Sequence, residues 1–162
     1  MNCSVAQTLE VVGEWWSLLI IRDVFLGVTR FDDLQARLGI SRNVLTQRLE
    51  HLIEHEVLER VPYQTNPVRC DYRLTERGRG LWPVLTAMRE WGDRWHAPGG
   101  APVQIVHTAC GHRTHSVLTC SECGGPLEPH GVRAVAGPGM PEGSPRPPRL
   151  GAAPAPIPAA DS

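Results

Sequence analysis

Histidine and cysteine side chains recur in one short segment at spacings that suit a metal ion. Residues 103–130 hold three of the five cysteines and four of the seven histidines. Two stretches share a pattern of ligand, two other residues, cysteine and glycine: residues 107–111 and residues 120–124. Two ligands at this spacing can converge on one ion, and the glycine lets the backbone turn beside them.

Together the two stretches supply one imidazole and three thiols: His107, Cys110, Cys120 and Cys123. Four ligands complete a tetrahedral site with no open position, which predicts structural zinc and not catalytic zinc. Apolar, strand-like stretches precede both patterns, as in a zinc ribbon. His112, and less favourably His115, is the rival fourth ligand. The alternative to a metal site is a reduced hairpin whose cysteines only pack.

A second set of candidate residues follows Ser41 and suits contacts with nucleic acid. Arg pairs well with guanine, Asn and Gln pair with adenine, and Thr can touch a thymine methyl group. The candidate DNA-binding residues are Ser41, Arg42, Asn43, Thr46, Gln47, Arg48 and Arg69. Arg48 borders the apolar side of its helix, so an ion pair with an acid is the alternative to a phosphate contact.

The elements that must position these side chains follow from the hydrophobic periodicity. Helical spacing indicates helices over residues 5–12, 15–26 and 31–38, each followed by glycine, and a fourth helix N-capped by Ser41. The fourth helix turns Val44, Leu45, Leu49, Leu52 and Ile53 inward. A two-stranded hairpin is expected over residues 57–74, with its turn at Asn66-Pro67. A last long helix, capped by Thr75 and kinked at Pro83, is expected after it.

This order of elements predicts a mainly α (α+β) fold, a winged helix-turn-helix with a two-stranded wing. In this layout the third helix supports the fourth, whose polar face enters a major groove. The tip of the wing then lies along the DNA backbone or minor groove. A zinc-ribbon-like β hairpin and a disordered tail are expected to follow.

Several short motifs at these positions resemble those of the HxlR-type transcriptional regulators, relatives of the MarR group. The family has a cysteine near the N-terminus, then a "gly-x-trp" motif, an "arg-phe-x-x-leu" helix, an "ile-ser" recognition helix and "tyr-x-leu-thr-x-x-gly" after the wing. Here the motifs are Cys3-Ser4-Val5, Gly13-Glu14-Trp15, Arg30-Phe31-Asp32-Asp33-Leu34, Ile40-Ser41-Arg42-Asn43-Val44-Leu45-Thr46-Gln47-Arg48-Leu49 and Tyr72-Arg73-Leu74-Thr75-Glu76-Arg77-Gly78. The match covers roughly residues 3–96, with Ser4 where the family usually has Pro.

The resemblance implies a homodimer, formed through the first and last helices, that binds an inverted-repeat operator in double-stranded DNA. Repression is the expected sign of regulation, because a bound operator is occluded. Some members of the family sense oxidants or electrophiles through an N-terminal cysteine, and Cys3 matches that position. The alternatives are a cysteine that only packs at Cys3 and a winged helix that binds protein and not DNA. Cys70 is expected to be inert, with a disulfide role as the alternative.

Composition limits the remaining choices. The net charge of −1 excludes a globally basic, histone-like binder, and all 16 basic residues are Arg. No apolar run approaches the ~18 residues of a membrane span, and no signal-peptide pattern is visible. We therefore expect a cytoplasmic, nucleoid-associated protein. No catalytic motif is visible, so we do not expect an enzyme. The expected limits are 1–96 for the winged helix, 97–102 for a linker, 103–130 for the zinc module and 131–162 for a disordered tail rich in Pro, Gly and Ala.

Overall fold

The structure, a computed structural model, describes residues 3–141 together with residues 143 and 144. The chain divides into two compact units, the first reaching Thr114 and the second beginning at His115. Among the described residues no helix is long and apolar enough to cross a membrane. The expected disordered tail, residues 131–162, lies largely outside the described residues.

Residues 3–114 form six helices and two antiparallel hairpins. The elements are α1 (Ser4–Val12), α2 (Trp15–Phe25), α3 (Phe31–Leu38), α4 (Arg42–Glu54), β1 (Leu58–Thr65), β2 (Val68–Leu74), α5 (Glu76–Arg79), α6 (Trp82–His96), β3 (Ile105–Val106) and β4 (Arg113–Thr114). The four helices and the wing expected from the hydrophobic periodicity are confirmed, with their ends shifted by a residue or two.

The hydrophobic core lies where α2, α3 and α4 pack together. Its fully buried side chains on these helices are Ile20, Ile21, Leu34, Leu45, Leu49 and Leu52. Val57 and Leu58 are buried at the base of the wing. Full burial of one such side chain contributes about 1.5–3 kcal/mol. Because three of these side chains belong to α4, the core fixes which side of that helix faces solvent.

The start of α4 is set by local sequence. Gly39 ends α3 with φ of +67°, a left-handed conformation that glycine adopts without a steric penalty. The Ser41 hydroxyl then accepts a hydrogen bond of 3.3 Å from the amide of Val44. An N-cap of this kind stabilises a helix by about 1 kcal/mol. The expected N-cap at Ser41 is confirmed.

The wing is tied to the helices. Strand β1 pairs with β2 from Leu58–Leu74 at the base to Thr65–Val68 at the tip. The amide of Tyr72 in β2 donates to the carbonyl of Thr29 at 2.7 Å, and Arg30 forms a further β bridge with Asp71. Since Arg30 directly precedes α3, the wing and α3 are held together through the backbone.

The prediction of a single long helix after Thr75, kinked at Pro83, is wrong. Thr75 caps the short helix α5, where its hydroxyl accepts from the amide of Gly78 at 3.1 Å. Helix α5 ends at Arg79, and Gly80 and Leu81 lie between the two helices. Helix α6 begins at Trp82, with Pro83 in its first turn. The first amides of a helix have no partner within the helix, so proline is tolerated there and starts α6 where a kink was expected.

The segment after α6 contains little regular structure. In the first unit, β3 and β4 pair Ile105 with Thr114 and Val106 with Arg113. In the second unit, one isolated bridge joins Thr119 to Pro126. The strand-like stretch expected ahead of Cys120 is therefore reduced to a single bridge.

Candidate nucleic-acid interface

A buried carboxylate anchors α3 against α2. Asp23, on α2, is fully buried, and its Oδ1 lies 2.8 Å from the guanidinium of Arg22 and 3.2 Å from Nε of Arg37 on α3. Its Oδ2 has no hydrogen-bond partner among the described residues. Sequence analysis missed this role. The available signal was a charged pair, Arg22-Asp23, inside an otherwise apolar helix.

The polar face of α4 is exposed along its first two turns. Arg42, Asn43 and Gln47 are exposed, whereas Leu45 and Leu49 are buried on the opposite side. Asn43 and Gln47 lie four residues apart and therefore project from one face, one turn after the other. The structure thus brings a cation and two amides together at the capped end of α4.

Arg42 is held by α3 in the free protein. Its Nη1 lies 3.3 Å from Oδ1 of Asp32, and its guanidinium carbon lies 4.6 Å from the ring centre of Phe31. Both charged side chains are about 70% exposed, at 69% for Arg42 and 74% for Asp32. Exposed pairs contribute at most about 1 kcal/mol, so Arg42 can exchange this partner for a base or a phosphate at small cost.

Thr46 and Arg48 are engaged in intramolecular contacts. Thr46 is half-buried, and its hydroxyl donates to the carbonyl of Arg42 at 2.9 Å. Arg48 is 24% exposed, and its Nη1 lies 3.7 Å from the carboxylate of Glu14. The alternative considered for Arg48, an ion pair with an acid, is the arrangement in the structure.

At the tip of the wing, Arg69 is exposed and pairs in register with Gln64. The Gln64 side chain donates to the carbonyl of Asn66 at 3.1 Å, within the turn. The cation is therefore presented at the end of an ordered ribbon, on the same unit as α4.

All five cysteines are free thiols. Cys3 is exposed and occupies the N-cap position of α1, where its side chain makes no capping hydrogen bond. Cys70, on β2, is half-buried and is a free thiol in the structure.

The candidate metal ligands lie in two turns, in which Cys120 is half-buried and the other three are exposed. In the first unit, Sγ of Cys110 lies 3.4 Å from Nδ1 of His107. In the second unit, the backbone amides of Cys123 and Glu122 donate to the sulfur of Cys120 and lower the pKa of its thiol. Among residues 3–141, 143 and 144, no group of three or more His, Cys, Asp or Glu side chains is gathered in metal-binding geometry.

The family follows from a match to residues 11–99, which span the end of α1 through α6, by the HxlR-like helix-turn-helix family model. The chain belongs to the HxlR family. The helix-turn-helix, wing and exposed α4 face described above lie within this match. The protein is therefore a helix-turn-helix transcriptional regulator of the HxlR type.

Three similar proteins differ in how much of this HxlR-type chain they cover. An uncharacterised HTH-type transcriptional regulator of Mycobacterium tuberculosis is 42% identical over 138 residues, 85% of this chain and 87% of its own. The crystal structure of PA1607, described as a candidate transcription factor, matches with a TM-score of 0.74 and 39% identity over 82% of this chain and 93% of its own. The oxidised form of the redox regulator HypR matches with a TM-score of 0.53 and 32% identity over 57% of this chain and 96% of its own. The first two matches are too long to end at α6, so they include part of the segment that holds the two cysteine turns.

Proposed function

We propose that this HxlR-type regulator binds double-stranded DNA as a homodimer and represses transcription by occupying an inverted-repeat operator. The observation that carries the proposal is the exposure of Arg42, Asn43 and Gln47 on the first turns of a capped and rigidly packed helix. Side chains at the N-terminal end of a recognition helix reach base edges when the helix lies in the major groove.

The proposed contacts divide into base contacts and backbone contacts. Arg42 suits the acceptors of guanine, and Asn43 and Gln47 suit the donor and acceptor of adenine. Ser41, at the helix N-terminus, and Arg69, at the wing tip, suit phosphates, which position a protein without specifying sequence. Only the methyl group of Thr46 is proposed to contact a base, because its hydroxyl donates a hydrogen bond to the carbonyl of Arg42 within α4.

A second copy of the chain is the proposed occupant of the exposed apolar side chains on α1 and α6. These are Val5, Leu9, Trp82, Val84, Met88, Trp91 and Trp95, each at least 40% exposed. Exposed clusters of this kind on a soluble protein mark interaction surfaces, and Trp and Met are enriched in them. A homodimer presents α4 twice, which matches an inverted repeat.

The test is binding to duplexes that the wild-type protein enriches from a random-sequence DNA library. Arg42→Ala and Gln47→Ala are each expected to weaken binding roughly ten- to a hundredfold and to relax the preference at one base pair, since each removes a contact of about 1–3 kcal/mol. Fluorescence anisotropy across a panel of single-base variants measures both effects.

Arg77→Ala is the matched control for Arg42→Ala. Arg77 is an exposed cation paired with an exposed carboxylate, that of Glu56 at 3.8 Å, beyond the opposite end of α4. The control is expected to leave base preference unchanged. Unchanged affinity and preference in both α4 variants would refute this assignment, and a folded wild type that enriches no duplex would favour a winged helix that binds protein.

The proposed sign of regulation is tested in cells. Deletion of the gene is expected to raise transcription from promoters that the protein occupies, because an occupied operator blocks initiation. Reduced transcription from those promoters would contradict repression and indicate an activator.

Redox control through Cys3 is a second candidate function, favoured by the exposure of this thiol at the N-terminus of α1 and by the similarity to HypR. The reaction of its thiolate with hydrogen peroxide breaks the O–O bond and gives a sulfenic acid and hydroxide. Mild peroxide is then expected to release DNA from the wild type and not from Cys3→Ser. The same response in both proteins would show that Cys3 is not the redox sensor.

A further inference from the structure

One carboxylate on the wing holds two arginines. Asp71, on β2, accepts a hydrogen bond from Arg73 at 3.4 Å through Oδ2, and its Oδ1 lies 3.9 Å from Nε of Arg30. The Thr29 hydroxyl donates to the same Oδ1 at 3.1 Å. Two cations share a single negative charge here, so the cluster keeps an excess of positive charge.

The backbone places Arg30 between the wing and α4. Arg30 forms an antiparallel β bridge with Asp71, and bridged residues project their side chains from the same face of a sheet. Arg30 is also the N-cap residue of α3. The two residues that follow it, Phe31 and Asp32, are the ones that hold Arg42 of α4. Arg30 therefore lies next to both elements that are proposed to contact DNA.

An aromatic ring directs the guanidinium of Arg30 toward the tip of the wing. Its guanidinium carbon lies 4.8 Å from the ring centre of Tyr63 on β1. Tyr63 directly precedes Gln64, which is the register partner of Arg69. The charged end of Arg30 consequently lies on the tip side of Asp71, between that carboxylate and the cation of the wing tip.

The guanidinium of Arg30 is oriented and still available. The side chain is 61% exposed, and its separation of 3.9 Å from Asp71 is too long for a hydrogen bond. The contact with Tyr63 uses the flat face of the guanidinium, whereas the N–H donors lie around its edge. A side chain held in this way loses less conformational freedom on binding than a free arginine does.

We propose that Arg30 contacts a phosphate of the DNA backbone between the contacts of α4 and that of the wing tip. This inference rests on the proposed DNA binding and extends it to a residue at the start of α3. A guanidinium binds phosphate oxygens through two parallel hydrogen bonds, and such a contact positions a protein without specifying sequence. Tyr63 and Asp71 are positioning residues for this contact.

The experiment measures DNA binding by full-length Arg30→Ala at several salt concentrations, on the enriched duplex and on an unrelated one. Binding to both duplexes is expected to weaken by a similar factor. The slope of log affinity against log salt is expected to fall by about 1, because one phosphate contact is lost. Circular dichroism and thermal unfolding check that the variant is folded.

Arg73→Ala is the matched control for Arg30→Ala. Arg73 is paired with the same carboxylate and is similarly exposed, at 56%, but it lies two residues beyond Asp71 toward the base of the wing. The control loses the same charge and is expected to keep the salt slope of the wild type. An unchanged slope in Arg30→Ala, or an equal reduction in Arg73→Ala, would overturn the proposed contact.

Tyr63→Leu tests the positioning role without removing a charge. It is expected to weaken binding to both duplexes about two- to fivefold, because an exposed cation–π contact is lost, and to leave the salt slope unchanged. Wild-type affinity in this variant would overturn the role of Tyr63.

Arg42→Ala on the same duplexes separates this inference from the proposed function. A relaxed base preference in Arg42→Ala together with an unchanged salt slope in Arg30→Ala would overturn the Arg30 contact alone. A folded wild type that enriches no duplex would overturn both.

Discussion

Asp23 shows how one buried side chain positions a surface that it does not touch. Its carboxylate is fully buried on α2 and binds Arg37 on α3, and α3 in turn carries the Phe31 and Asp32 side chains that hold Arg42. The contact therefore links the interior of the unit to the exposed end of α4. A neutral side chain in its place removes that link without altering the residues proposed to contact DNA.

The strength of this link is testable by a double-mutant cycle with Asp23→Asn and Arg37→Met. We expect a coupling energy of about 1–3 kcal/mol, because the carboxylate is desolvated and loses a charged partner. Urea unfolding of the four proteins measures it. The control is the same cycle on Arg77 and Glu56, an exposed pair for which less than about 1 kcal/mol is expected. Equal coupling in the two cycles would contradict an anchoring role for Asp23.

At the scale of elements, α4 and the wing are proposed to contact different parts of the DNA. The polar residues of α4 differ in hydrogen-bonding pattern and suit base edges, whereas the wing tip offers a guanidinium at Arg69. A guanidinium at the end of a ribbon meets phosphates, which are the same at every base pair.

We expect Arg69→Ala to weaken binding by a similar factor on all duplexes and to reduce the slope of log affinity against log salt by about 1, because one phosphate contact is lost. Titrations at several salt concentrations, on the enriched duplex and on an unrelated one, measure this. A loss confined to the enriched duplex would instead place Arg69 against a base. Arg77→Ala, which removes an exposed cation away from the wing tip, is the control and is expected to leave the salt slope unchanged.

Sequence patterns predicted the elements whose signals are local. The N-cap at Ser41 and the glycine at position 39 lie next to the helix they define, and both are confirmed. The kink predicted at Pro83 was wrong because a proline inside an apolar periodic run indicates a kink or a helix start equally well.

The pairing of Asp23 with Arg37 was missed because the two residues lie on different helices, and no periodicity reports a tertiary ion pair. For Arg48 the pattern left either a phosphate or an acidic side chain as the partner. The structure shows a contact with the carboxylate of Glu14.

At the scale of the whole molecule, the proposed contact between two copies of the chain through α1 and α6 would present α4 twice. We expect Trp95→Glu and Leu9→Glu each to weaken the dimer by roughly thirtyfold, since loss of a buried anchor residue costs about 2 kcal/mol or more. Sedimentation equilibrium measures the dissociation constant.

Val68→Glu is the control for the dimer variants, because Val68 is an equally exposed apolar residue at the wing tip, at 70%. The control is expected to sediment as the wild type does. A monomeric wild type, or dimer variants that sediment as the control does, would contradict the proposed interface.

The hydrogen bond between Tyr72 and Thr29 limits how the proposed DNA-binding surface can change shape. Because the wing and α3 are joined through the backbone, we expect them to move together. In the proposed homodimer, an allosteric signal would then be expected to change the separation of the two α4 helices, which B-form DNA requires to be about 34 Å, one helical repeat. Induction of this kind predicts a sharp dependence on operator spacing and little dependence on the identity of individual bases.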